Sequence, residues 1–451
     1  MIAFYNFSIA FSMNKRAVPE GYLFSKGYTN YVFILLFLLY MFDYVDRMIV
    51  TSLFPFIKVE WNLTDTQLGA LISAVYWFIV LLTIPASILV DRWSRRRTIG
   101  AMAAIWSLAT AAAAFTKSFP QLFITRTIIG AGEAGYAPGG IAMISAMYPK
   151  EKRSWMAGIW NASIPLGGAV GVALGGFIAA KWGWRSAFGI VAIPGLILAI
   201  LFYFIKDYKT VKLVKNGNAA VIEKDVVEEK RTQAKMSFKD IVKEFISKPS
   251  LVLTYFGMTG VVFVTTSLLS WLPSFFSRLD NIPLQRAGAK ASLVMLLAII
   301  GAPLGGYIAD KWRKKRVNAR LVLPAITSMI AALFAFLAFV VFDGTLQYVF
   351  LLLHGISVTM FIPAAGAVTQ DLVHPGLRAT SYAIAVIAQN LLGASAGPIV
   401  IGIISDKTDI STALSILPIF LVISSILFLV GSFYYKKDVE KVDDVPLEVW
   451  G

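Results

Sequence analysis

Asp91-Arg-Trp-Ser-Arg-Arg-Arg97 and Asp310-Lys-Trp-Arg-Lys-Lys-Arg316 repeat one pattern 219 residues apart, each set between long apolar stretches. In both runs an acid opens a turn, a tryptophan follows two residues later, and a basic cluster closes it. Lysine and arginine accumulate in loops on the cytoplasmic side of a membrane, so both loops are expected there. A unit used twice at this spacing predicts two related halves. Many secondary transporters are built this way, with the ligand site between the halves near the bilayer midplane.

Composition points the same way. Of 451 residues, 57% are apolar and 13% aromatic, and the mean hydropathy is +0.71. One water-soluble core cannot cover that much apolar surface, whereas repeated apolar helices of about 20 residues can bury it in a bilayer. The formal charge of +15 falls in short clusters between apolar runs, as membrane sorting requires, so no nucleic-acid partner is expected. The chain has no cysteine, which excludes disulfides, thiol catalysis and Cys-ligated zinc. Two histidines cannot form a His-rich metal cluster, and no cofactor or metal is expected. No ATP-binding motif or Ser/His/Asp set is visible, so the chain is not read as an enzyme.

Apolar runs mark twelve spans, roughly 29–57, 66–90, 98–117, 119–147, 154–181, 184–205, 250–278, 284–309, 318–341, 345–372, 378–404 and 410–435. The fold class is therefore an all-α polytopic membrane protein with 12 transmembrane helices in two pseudo-symmetric six-helix bundles. The predicted organisation is a cytoplasmic segment 1–27, an N-terminal bundle 28–205, a cytoplasmic linker 206–249, a C-terminal bundle 250–436 and a cytoplasmic tail 437–451. Lys15, Arg16 and Lys26 before the first span, and Lys436 and Lys437 after the last, place both termini in the cytoplasm of a cell whose plasma or inner membrane holds the chain. The first twelve residues lack the basic start and cleavage site of a secretory signal, and Met13 is an alternative start. Within the linker, Phe238, Ile241, Val242, Phe245 and Ile246 recur at helical spacing behind Ser237 and Asp240, which reads as an amphipathic helix on the membrane surface or packed under the bundle.

These loops, halves and linker resemble the major facilitator superfamily over nearly the whole chain. That family commonly has a glycine four residues before the loop aspartate and another three after it. Gly306 keeps the first position in the second copy, whereas Ser87 replaces it in the first, and Ser94 and Arg313 occupy the later one. Within the superfamily three stretches resemble the Spinster-like branch: Asp46-Arg47; Arg126 through Gly130-Ala-Gly-Glu133-Ala-Gly-Tyr136; and Ile164-Pro-Leu-Gly-Gly168 onward. Anion:cation symporters share the Asp-Arg pair and the Arg with Glu seven residues later, so Tyr136 and the fifth span carry the distinction. The resemblance implies that Asp91, Arg92, Asp310 and Lys311 act in gating, and that Asp46 and Glu133 carry protons.

Ionisable groups inside a span are costly, so they usually face a cavity and pair. Asp43, Asp46 and Arg47 lie on one face of the first span at i, i+3 and i+4. Arg126 and Glu133 lie two helical turns apart in the fourth, about 10 Å along one face. Three acids and two bases leave one negative charge, which one bound proton removes. Arg47 and Arg126 are candidate anion ligands, because guanidinium binds carboxylate or phosphate through two parallel hydrogen bonds. An arginine that moves towards a substrate anion frees its acid to take up a proton, which couples the two. A structural ion-pair network that only orients the two helices reads from the same residues.

The second half is almost uncharged within its spans. His354 reads as a hydrogen-bonded core residue. Tyr136, Trp271, Gln389 and Asn390, with Tyr255 and Thr359, are candidate cavity-lining side chains. A charged N-terminal wall facing an apolar C-terminal wall suits an amphiphilic anion better than a neutral sugar. The expected partners are a small-molecule or lipid-like anionic substrate, protons and membrane lipids, with the protein a monomer. Lysophospholipid is the substrate that the Spinster-like resemblance implies, and a sugar-acid carboxylate the one that the symporter resemblance implies. Glycines at 167, 171 and 175, and at 393 and 397 before Pro398, predict close helix approach.

Single cysteines introduced at Ser94 and Arg313 into this cysteine-free chain should both react with a membrane-impermeant maleimide only from the cytoplasmic side. Labelling of either from outside rules out the six-plus-six arrangement.

Overall fold

The computed structural model describes residues 22–92, 94–207, 244–279, 282–374 and 377–442. Among them the chain forms twelve helical rods. The first half holds α1 (Lys26–Trp61), α2 (Asp65–Arg92), α3 (Arg95–Ala113), α4 (Phe119–Glu133 and Tyr136–Met147), α5 (Lys150–Asn161 and Ser163–Trp182) and α6 (Trp184–Tyr203). The second half holds α7 (Pro249–Leu279), α8 (Leu284–Arg313), α9 (Ala319–Phe336 and Leu337–Val341) and α10 (Gly344–Ser357 and Ile362–Asp371). It ends with α11 (Arg378–Ala388, Gln389–Ala394 and Ala396–Lys407) and α12 (Ile410–Ser415 and Leu417–Val439). The segments Leu337–Val341 and Gln389–Ala394 have π-helical pitch.

Rod ends follow local chemistry. Asn62 stops α1 in the left-handed region at φ 50° and turns its N–H back to the Lys58 carbonyl. Ser94 caps α3 by accepting from the Arg97 N–H, and Asp409 caps α12 by accepting from the N–H groups of Ser411 and Thr412. Nine of the described rods are long and apolar enough to cross a membrane by composition alone. The other three are α1, α3 and α4, and two of those carry the buried charges.

Packing in the two halves corresponds rod for rod. In the first half α1 packs on α5 and α6, α3 on α6, and α2 on α4; in the second α7 packs on α11 and α12, α9 on α12, and α8 on α10. The predicted glycines lie at close contacts of this kind, as do Gly301 and Gly305 where α8 meets α10. A Cβ at Gly167 of α5 would lie 2.2 Å from the Met41 carbonyl oxygen of α1, and one at Gly393 of α11 2.8 Å from the Thr259 carbonyl oxygen of α7. Only a residue without a side chain allows these backbones to approach so closely.

The bundles meet along α2 against α11 and α5 against α8. Ser292 donates to the Ala169 carbonyl (2.8 Å), and Ser73 donates to the Ser395 carbonyl. Asp65 at the start of α2 accepts from Lys58 (2.6 Å), from both terminal nitrogens of Arg278 on α7 (2.7 and 2.8 Å) and from Ser405 on α11 (2.6 Å). Asp406 of α11 in turn accepts from the N–H groups of Asp65 and Thr66 (2.6 and 2.8 Å), capping α2 from the opposite bundle. All these contacts lie in the half of the molecule away from the loops at 91–97 and 310–316.

On the basic side each loop is held within its own bundle. Ser94 donates to Asp207, and Arg96 donates to the Ile205 carbonyl (2.7 Å). The side chains of Asp91 and Arg92 lie outside the described residues. In the second copy Asp310 is 76% exposed and 3.9 Å from Arg320, whereas Asp371 of α10 takes the close contact with Arg320 and accepts from Tyr435 (3.0 Å). Lys311 sits 5.9 Å over the Tyr307 ring. Of the expected linker helix, Ser237, Phe238, Asp240, Ile241 and Val242 lie outside the described residues. Phe245 is buried, and Ile246 is exposed.

The Asp65 and Asp406 contacts should hold the two bundles together at this end. Replacing both by asparagine is expected to raise the population separated there by roughly tenfold, about one charge-assisted hydrogen bond's worth. Spin-label distances between Thr64 and Lys407 would measure it, and an unchanged distribution would show that the contacts do not hold the bundles closed.

Candidate functional site: a buried ion cluster between α1 and α4

Asp43, Asp46 and Arg47 project from one face of α1 into the first bundle, where Arg126 and Glu133 meet them from α4. All five are buried: Arg126 is 0% exposed, Asp43 and Asp46 1%, Glu133 4% and Arg47 6%. The terminal nitrogen Nη2 of Arg47 donates to Asp43 Oδ2 at 2.9 Å and to Glu133 Oε2 at 2.7 Å. One guanidinium nitrogen thus joins two carboxylates from two helices. α4 breaks immediately after Glu133, at Ala134 and Gly135, before resuming at Tyr136.

Arg126 behaves differently from the sequence expectation. Its Nε donates to the Leu71 carbonyl (3.2 Å), Nη1 to that of Asp46 (3.0 Å) and Nη2 to that of Arg47 (3.0 Å). The side chain faces backbone on α1 and α2, and its hydrogen bonds tie three helices together. In this conformation it presents nothing to an anion.

Asp46 is the opposite case. Both of its carboxylate oxygens are buried with no hydrogen-bond partner. Thr110 of α3 faces it, but the Thr110 hydroxyl donates to the Trp106 carbonyl at 3.0 Å. Asp43 Oδ1 and Glu133 Oε1 are likewise buried without a partner. Buried polar atoms are normally paired, and an isolated ionised carboxylate in an apolar medium is strongly disfavoured. Two unpaired carboxylate oxygens on the acids that Arg47 bridges, and two more on Asp46 nearby, thus have unused capacity to accept a hydrogen bond or a proton.

The other expected residues are scattered. Tyr136 is buried among Tyr40, Trp106 and Trp160, and its hydroxyl donates to the Leu36 carbonyl, so it packs the first bundle. Trp271 is fully buried at the junction of the bundles, donating to the Pro398 carbonyl (3.0 Å) and packing on Phe54 at 5.2 Å. Neither lines open space in this conformation. Gln389 and Asn390 begin the π-helical segment of α11; Gln389 donates to the Ala385 carbonyl at 2.9 Å, and both side chains are half-buried. Tyr255 and Ser381 share a 2.6 Å hydrogen bond between α7 and α11, and Thr359 donates to the Ala298 carbonyl (2.9 Å). His354 is buried with Nδ1 2.9 Å from the Ala331 carbonyl.

The family pattern of the Major Facilitator Superfamily matches residues 36–398. The chain belongs to this superfamily. It is a multi-pass membrane transporter, as superfamily members are, and not an enzyme. Among curated proteins it is 25% identical over 394 residues to protein spinster homolog 1 of Xenopus laevis, covering 83% of this chain and 73% of that one. It is 24% identical over 314 residues to the hexuronate transporter of Bacillus subtilis, covering 69% and 72%. Among solved structures, a bacterial homologue of the human lysosomal transporter Spinster, inward-facing and unoccupied, superposes with a TM-score of 0.77 at 22% identity, covering 92% of this chain and 99% of that one. This likeness confirms the fold, and the match to protein spinster homolog 1 bears out the Spinster-like resemblance.

Sequence reasoning missed Asp65, Asp406 and Arg278, which look like ordinary helix-end residues until two bundles bring them together. It also missed Asp371, and it passed over Tyr44 and Tyr76, whose rings cover Arg47. Only Tyr44, three residues before Arg47 on the same helix, was within reach of spacing.

Asp46→Asn and Arg126→Met should separate in a thermal unfolding assay. The amide replaces an unpaired buried carboxylate and should leave stability unchanged or higher, whereas loss of three hydrogen bonds from a buried cation should cost more than about 2 kcal/mol. Equal losses from the two variants would contradict this division of roles.

Proposed function

We propose that the protein is a proton-coupled secondary transporter of an anionic organic solute, working by alternating access between the bundles at 28–205 and 250–436. The observation that carries this reading is the bridge from Arg47 to Asp43 and Glu133 beside the unpaired Asp46. An anion that draws the Arg47 guanidinium into two parallel hydrogen bonds takes it from the acids. Two carboxylates left without their cation in a space out of water then bind a proton, so anion and proton occupy the protein together. Asp43, Asp46 and Glu133 are the proton-carrying candidates and Arg47 the anion ligand, with Arg126 holding the carbonyl framework behind them.

The substrate class follows from the asymmetry of the walls. The charges lie in the first bundle, while the α7 and α11 side offers Gln389, Asn390 and apolar surface. An amphiphile such as a lysophospholipid places its anionic head on the first and its chain along the second. A sugar-acid carboxylate is the second reading, favoured by the likeness to a hexuronate transporter. Asp91, Arg92, Asp310 and Lys311 serve gating, together with Asp371 and Arg320. The protein acts as a monomer in the plasma or inner membrane with both termini cytoplasmic.

Purified protein in proteoliposomes should accumulate labelled lysophospholipid or hexuronate against an imposed pH gradient. Glu133→Gln and Asp46→Asn should abolish accumulation while preserving counterflow, because the amide mimics the protonated acid. Arg47→Ala should lose counterflow as well, and Arg47→Lys should lower it. Normal rate and pH dependence in both amide variants would assign these charges to structure alone.

A further inference from the structure

The guanidinium of Arg47 is held by more than its two acids. Its central carbon lies 4.4 Å from the ring centroid of Tyr44 on α1 and 5.2 Å from that of Tyr76 on α2. Such stacking is an attraction between cation and ring quadrupole, and it strengthens when water is excluded. Tyr44 is itself fixed. Its ring packs edge-on against Tyr40 at 5.4 Å, and Tyr40 stacks on Trp160 at 4.2 Å. A Cβ at Gly167 of α5 would lie 2.9 Å from the Tyr44 Cβ, so the tight α1–α5 contact sets where this residue sits. Tyr76 is buried on α2, next to Trp77, which is exposed.

We infer that Tyr44 and Tyr76 are positioning residues that hold Arg47 on Asp43 and Glu133, and so set the pH at which the transporter changes conformation. The inference rests on the proton-coupled reading above. The charged and titratable groups facing Arg47 are Asp43, Tyr44 and Tyr40 on α1, Tyr76 on α2, and Glu133 and Arg126 on α4, with Asp46 its neighbour along α1. Thr110 of α3 is neutral, as is Gly167 on α5. Among these groups, the two tyrosines set their rings against the guanidinium, and Tyr76 also reaches it with its hydroxyl. Loosening that contact leaves the carboxylates less compensated, and they retain a proton to higher pH.

The test is made on full-length protein in nanodiscs without substrate, reading the Thr64 to Lys407 spin-label distance as a function of pH. Tyr44→Phe keeps a ring and should hold the wild-type midpoint closely. Tyr44→Leu and Tyr76→Leu should move it to more alkaline pH by about half to one and a half units. Phenylalanines carrying one, two and three ring fluorines at position 44 preserve shape while draining the ring face, and should move the midpoint progressively in that direction. A fluorine series with no trend overturns the inference even where the leucine variants misfold. A wild-type distance that does not respond to pH defeats the proton-coupled reading itself and the inference with it, so the two failures are told apart.

Discussion

An arginine carried into the apolar interior of a membrane protein has to be neutralised where it stands, and the first bundle is arranged around that requirement for Arg47. One nitrogen reaches Asp43 and Glu133, two aromatic rings cover the guanidinium, and α1 and α4 are thereby held at fixed separation. Each ion would be costly alone at this depth. The arrangement is therefore cooperative: withdrawing any member leaves the others uncompensated. The same cooperativity ties the charge state of each member to that of its neighbours.

The two arginines divide the work through the groups they face. Arg126 meets only carbonyl oxygens and is tied to three of them, so its hydrogen bonds serve helix packing. Arg47 meets carboxylates, which change their charge on protonation. A hydrogen bond to a backbone carbonyl is indifferent to pH over the physiological range, whereas one to a carboxylate is not. This difference, invisible in two arginines of similar setting, separates an arginine whose contacts are independent of pH from one whose contacts are not.

Movement is constrained from the other end of the molecule. The Asp65 and Asp406 contacts bind α2 to α7 and α11 and lie away from the ion cluster, so the bundles are joined at one end while the cluster sits near the middle of α1 and α4. Close glycine contacts within each half make the bundles stiff bodies, as at Gly167 against α1 and Gly393 against α7. Stiff halves joined through polar contacts at one end have the geometry for rigid-body movement, in which those contacts would have to break for that end to open.

The sequence by itself determined the duplicated architecture, the twelve spans, the close-packing glycines, the shared face of Asp43, Asp46 and Arg47 on α1, and that of Arg126 and Glu133 on α4. Each of these is a statement about spacing along one helix or about apolar length, and both are fixed by local geometry. Tertiary structure alone decided which arginine meets carboxylate and which meets carbonyl, because that depends on the rotation of α4 against α1 and α2. It also decided that Tyr136 and Trp271 are packing residues in this conformation, that Asp371 rather than Asp310 makes the close contact with Arg320, and that Asp65 joins the bundles. Those pairings span 51 to 341 residues of chain, and no periodicity carries information over such distances.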